Sequence, residues 1–226
     1  VKTIGPWKRL GLVAAFLVLG SSNPVAVKAA LLHGWGPLGL GILRMGFIGL
    51  FFYAWSLTAG EHPVGPNRDA RRYAFAAAFC KGVGVLGFYL ALTLIPVNRA
   101  VILSTVSPVV NLALVHLILE HERVRRHHVL GIGVTLVGIL VLLTLRQGGP
   151  PSVAAPSASS LAGDAAMMVS VVFHQAMIVF EKKSLLRGTN PRQLIISTNL
   201  VSVSLFALLI LFSRERLVDV PTEGTA

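Results

Sequence analysis

The sequence predicts an all-α fold: a polytopic membrane bundle of seven transmembrane helices. Three observations predict it. Of the 226 residues 54% are hydrophobic and only 13% charged, with mean hydropathy +0.74, whereas soluble domains carry about 25% charged residues. The apolar residues fall in runs near the roughly 20 residues that cross a bilayer as a helix. The basic residues gather in alternate connections. The net charge of +11 is explained by that asymmetry, and nucleic acid is not expected as a partner.

The spans follow in order as Leu10–Leu31, Pro37–Leu57, Tyr73–Leu94, Arg99–Leu119, His128–Leu145, Leu161–Phe180 and Leu194–Phe212. The first, preceded by Lys8 and Arg9, has the look of a signal peptide, but six further spans make it a transmembrane helix. Short connections such as HGWGP separate the spans, and one longer linker, RQGGPPSVAAPSASS, is rich in Pro, Ser and Gly. The domain reading is a five-helix repeat over 1–146, an external linker at 147–160, two helices of a second repeat over 161–213, and a polar tail at 214–226. Thirteen of the 20 basic residues lie at the N-terminus and in the second, fourth and sixth connections. The positive-inside rule then places the N-terminus in the cytoplasm of a multi-pass protein of the cytoplasmic membrane. Cys80 is the only cysteine, so no intramolecular disulfide can form.

An offset of 154 positions lays KAALLHGWGPLGLGI (Lys28–Ile42) on KKSLLRGTNPRQLII (Lys182–Ile196), with matching Lys, Gly and Pro positions. The first turn is nearly uncharged, while the second carries Arg187 and Arg192. The two copies are therefore expected to cross the membrane in opposite directions, an arrangement typical of secondary transporters with a substrate site between the halves. The second copy stops after two helices, and the chain reads as truncated.

SSNPVAVKAAL, the Arg44 of LGILRMGF, LALTLIPVNRAVILSTVSPVV, LEHERVRRHHVLGIGVTLVGILVLL and LAGDAAMMVSVVF occur in that order. Together they resemble the EamA-type proteins of the drug/metabolite transporter superfamily. The resemblance covers nearly the whole chain and departs from the family in the last three helices. It implies a non-enzymatic permease that moves a small metabolite by alternating access, with export among the directions open. The alternative is a truncated, non-transporting membrane subunit or assembly factor. No cofactor is implied. The expected partners are the lipid bilayer, a small-molecule substrate with an anionic group, and a second copy of the chain as a homodimer.

Polar residues inside the spans are the candidate substrate path. Asn23, Pro24 and Lys28 interrupt the first span. In the fourth, Ser104, Ser107, Pro108 and Asn111 share a helical face at i, i+3, i+4 and i+7. That face lines a substrate path or supplies interhelical hydrogen bonds and a kink. Lys28 and Arg44 lie at similar depths, roughly 9–12 Å from the turn joining their helices. They hold an anionic group between them or snorkel to the outer interface. Lys81 faces the same choice toward the other side. Ser170 and His174 share a face of the sixth span, where the histidine relays protons or is simply hydrogen-bonded. His116, His121, His127 and His128 read as solvated, with no ligand pattern for a metal. GVGVLG (Gly82–Gly87) fits a nucleotide fingerprint only as letters, since it lies inside a span without the required strand. Close helix approach is its expected role. No nucleophile–base arrangement is present.

Overall fold

The computed structural model describes residues 22–60, 68–119 and 158–213, together with residues 130, 131, 133, 134, 137, 138 and 141. The described residues form helices: α1 (residues 22–32), α2 (Pro37–Thr58), α3 (Arg68–Leu94), α4 (Val97–Ser104), α5 (Ser107–Ile118), a partly described α6 within residues 130–141, α7 (Ala158–Leu186) and α8 (Pro191–Ser213). Among the described residues, five stretches are long and apolar enough to cross a membrane, with α4 and α5 counting as one of them. Of the first expected span, residues 10–21 lie outside the described residues, as do most of the fifth, the linker at 147–157 and the tail at 214–226.

Several helices run beyond their apolar runs. α3 begins at Arg68 and α7 continues to Leu186, so charged residues expected in loops form the end turns. A polar end turn solvated by water and headgroups has no reason to unwind.

The fourth span departs most from expectation. It is not one helix with a continuous polar face, because a turn at Thr105–Val106 separates α4 from α5. Pro108 has no N–H to give the Ser104 carbonyl, and its ring crowds that same carbonyl. Hydroxyls add bonds around the break: Ser107 Oγ donates to the freed Ser104 O at 2.5 Å, and Thr105 Oγ1 joins its own backbone N–H on Ile102 O at 2.5 Å. Serine and threonine thus hold a break that would be costly in hydrocarbon.

Packing follows the small residues. α3 lies antiparallel along α7, where a Cβ on Gly87 would come within 2.9 Å of the Ala166 carbonyl oxygen. α2 lies antiparallel along α8, where Gly41 admits the Phe206 ring. α3 and α8 run parallel, joined by Ser202 Oγ donating to Ala78 O at 2.9 Å. The glycine-rich stretch of α3 therefore serves helix approach: Gly82, Gly84 and Gly87 face Leu205, His174 and the α7 backbone. Tyr89, Leu92, Ile95 and Phe206 are fully buried in the core, while Phe47, Leu117, Leu211 and Phe212 point outward, as lipid-facing side chains do.

The turns in the two stretches aligned at an offset of 154 positions share their geometry. Gly34 has φ 88° and Gly188 φ 93°, a left-handed conformation that glycine adopts without a Cβ penalty. The Trp35 N–H bonds Ala30 O, and the Thr189 N–H bonds Ser184 O, each at 3.2 Å. Pro37 and Pro191 then open the following helices, where a missing N–H costs nothing.

Candidate functional site

A cavity of about 350 Å³ lies among α1, α2, α3, the α4–α5 break and α7. α1 contributes Asn23 and Pro24, α2 contributes Arg44 and Met45, and α3 contributes Lys81, Val85, Phe88 and Tyr89. Ser104 and Ser107 reach it from either side of the break. α7 adds Met167, Ser170, His174, Gln175 and Met177. Lys81 stands thirteen residues from either end of α3, about 20 Å from each, so the cavity sits at mid-depth of the bundle.

The cations are held in place. Lys81 Nζ donates to Asn199 Oδ1 of α8 at 2.9 Å. Asn199, buried at 1% exposure, is fixed in turn by its amide donating to Ile195 O at 2.7 Å. This relay gives the ammonium in the middle of the bundle one neutral hydrogen-bond partner, with the Glu181 carboxylate acting on it electrostatically from α7. Arg44 Nη1 lies 3.4 Å from the Tyr89 hydroxyl, a long contact that leaves most of the guanidinium fork unengaged by that partner. No carboxylate lines the cavity among the described residues. His174 Nδ1 donates to the Ser170 carbonyl at 3.1 Å, so Nε2 is the ring nitrogen available to a ligand. The walls between these groups are apolar: Met45, Val85, Phe88, Met167, Val171 and Met177. Methionines adapt their shape to irregular ligands.

Eight of the residues singled out in the sequence meet here: Asn23, Pro24, Arg44, Lys81, Ser104, Ser107, Ser170 and His174. Three do not. Lys28 donates to the Leu92 carbonyl of α3, one of the last carbonyls of that helix, which have no intrahelical donor. Its cation also suits a helix C-terminus. Lys28 and Arg44 are therefore not a pair around one site, and the second cation beside Arg44 is Lys81. Pro108 is exposed and stands outside the cavity wall, while Asn111 is half-buried outside it with its Oδ1 buried and unbonded. Tyr89, Gln175 and Asn199 were missed as site residues, although an asparagine inside an apolar span is a signal for such a role.

At the end of the bundle near the α3–α4 turn, Arg99 Nη2 meets Asp164 Oδ2 at 2.5 Å. This pair joins α4 to α7. The other carboxylate oxygen, Asp164 Oδ1, is buried without a hydrogen-bond partner.

Comparison with curated proteins gave no match. Comparison with family descriptions matched residues 7–144, more than half of the chain, to the EamA-like transporter family. The matched stretch includes the cavity residues from Asn23 to Ser107, while the α7 wall lies beyond it. This multi-pass helical membrane protein belongs to the EamA-like transporter family.

Proposed function

We propose that the chain is a secondary carrier that moves a small organic anion across the cytoplasmic membrane by alternating access, with the mid-depth cavity as its substrate site. The carrying observation is the cavity wall: two cations, several neutral hydrogen-bonding groups and no carboxylate among the described residues. A buried cation is costly, and Glu181, whose charge acts on Lys81 from along α7, stands outside the cavity wall, so an anionic ligand supplies the counter-charge inside the cavity on entry. The Arg44 fork suits a carboxylate or phosphate through paired hydrogen bonds, and Lys81 adds a point charge. Ser104, Ser107, Gln175 and the His174 ring complete the polar contacts, while Phe88 and the methionines receive the apolar part of the substrate.

The matching turns at Gly34 and Gly188 support an inverted pair of structural units around this site, and the α4–α5 break supplies a wall whose backbone is already interrupted. The basic ends of α3, α7 and α8 favour a cytoplasmic placement for that side of the bundle. A thermal-stability panel tests the reading. Small carboxylates and organic phosphates should stabilise the purified chain, matched amines should not, and Arg44→Gln or Lys81→Gln should abolish the response. Stabilisation by amines, or an anion response that survives both substitutions, refutes the proposal.

A further inference from the structure

A second cavity, of about 320 Å³, opens between α2, α3 and α8 on the opposite side of α3 from the substrate cavity's α7 wall. Most of its wall is apolar, lined by Ala74, Phe75, Ile196, Leu200 and Val201, with Tyr53 and Ser197 beside them. Its other end is bounded by Arg71, Thr189 and Gln193, of which Thr189 is buried and bonded to Ser184 while Arg71 is exposed. From Gln193 to Val201 the groove follows α8 for about 12 Å. Phe75 is 61% exposed, so the groove opens onto the lipid-facing surface.

The polar end lies where charge gathers. Arg68, Arg71, Arg72, Lys182, Lys183, Arg187 and Arg192 crowd the described ends of α3, α7 and α8 against two carboxylates, Asp69 and Glu181. Asp69 faces Arg72 at 3.8 Å and Arg187 at 3.9 Å rather than Arg71. Arg192 lies over the Trp55 ring, 4.7 Å from its centroid. Trp55 and Tyr53 set this end at the level of the membrane interface, where such rings concentrate.

We infer that this groove binds one anionic phospholipid of the leaflet at the basic end, its phosphate at Arg71 and Gln193 and one acyl chain along Phe75, Leu200 and Val201. A neutral apolar solute would leave the Arg71 end unused. A free phosphate would leave the apolar length empty. A phospholipid matches both, with its charge and chain in the order that the bilayer imposes. The site is separate from the substrate cavity and does not depend on what the carrier moves.

The test counts lipid retained by the purified full chain in native mass spectrometry, after equilibration with equal amounts of phosphatidylglycerol and phosphatidylcholine. One phosphatidylglycerol should be retained with about a fivefold preference, the gain expected of one basic residue near the membrane surface. Arg71→Gln should bring the ratio close to one, and Arg71→Lys should keep most of it. Val201→Trp, which fills the apolar part, should reduce retention with Arg71 intact. Soluble glycerol phosphate should not displace the lipid. Equal retention of both lipids, retention of neither, an unchanged ratio in Arg71→Gln, full retention in Val201→Trp, or displacement by glycerol phosphate would each overturn the inference.

Discussion

Replacing Gly87 with alanine perturbs the contact that brings α7 to the substrate cavity. A Cβ at this position would stand 2.9 Å from the Ala166 carbonyl oxygen, 3.3 Å from the Ser170 nitrogen and 3.4 Å from Ser170 Cα. All three atoms are backbone, so no side chain can rotate away and α7 itself must shift. Overpacking of this kind costs about 1–3 kcal/mol. Alanine's better helix propensity returns up to about 1 kcal/mol. The expected net loss is about 1–2 kcal/mol, read by unfolding in mixed detergent micelles with far-ultraviolet circular dichroism. Gly133→Ala is the control, because among the described residues nothing lies within 4 Å of a Cβ there. It should be neutral or stabilising by up to about 1 kcal/mol. The same α7 shift displaces Ser170 and His174, so anion binding should weaken in Gly87→Ala and not in the control. A Gly87→Ala chain as stable as Gly133→Ala would refute the packing argument.

Three further predictions use other parts of the bundle. Arg99→Gln should destabilise the chain by about 2–3 kcal/mol, because it leaves the Asp164 carboxylate half-enclosed without its cation. Asp164→Asn should cost about 1 kcal/mol, since the Arg99 side chain is 43% exposed and reaches water; equal costs in the same unfolding assay would contradict this. Pro108→Ala gives the Ser104 carbonyl a backbone donor, so stability should hold or rise while anion binding falls as Ser104 and Ser107 move; a lower melting temperature would contradict it. In a Cys80→Ser background, Asn190→Cys should be protected from a membrane-impermeant maleimide in intact cells and His33→Cys labelled, and the reverse pattern would overturn the orientation.

The apolar spans were legible because a helix in hydrocarbon must bond its own backbone and cover itself with apolar side chains. The turns at Gly34 and Gly188 were legible because a left-handed residue followed by a helix-opening proline leaves a fixed spacing of glycine and proline. Most of the polar residues at the cavity could be named because polar side chains inside spans are few, while its apolar wall could not. Their partners could not. Lys28 ends on a backbone carbonyl, which no side-chain pattern reports. Lys81 and Asn199 stand 118 positions apart and meet only because α3 and α8 run side by side in the same direction. Arg99 and Asp164 meet for the same kind of reason. Pro108 announced a kink, but the break falls at Thr105–Val106, where the carbonyl that proline cannot serve begins. That displacement takes Pro108 and Asn111 away from the cavity that Ser104 and Ser107 share.

The central claim is that Arg44 and Lys81 hold the charge of a transported anion. The most direct measurement is initial uptake into proteoliposomes of the anion that best stabilises the purified chain, compared among the wild type, Arg44→Gln and Lys81→Gln. At about 4 Å and an effective dielectric constant near 20, one cation attracts one anion by about 4 kcal/mol. After desolvation roughly 1.4–3 kcal/mol remains, or about 10- to 100-fold in apparent affinity. Glutamine keeps an N–H for Asn199, so the Lys81→Gln chain should still fold. Apparent KM should rise by about 10- to 100-fold in each single variant. Saturable uptake at an unchanged KM in both variants would contradict it.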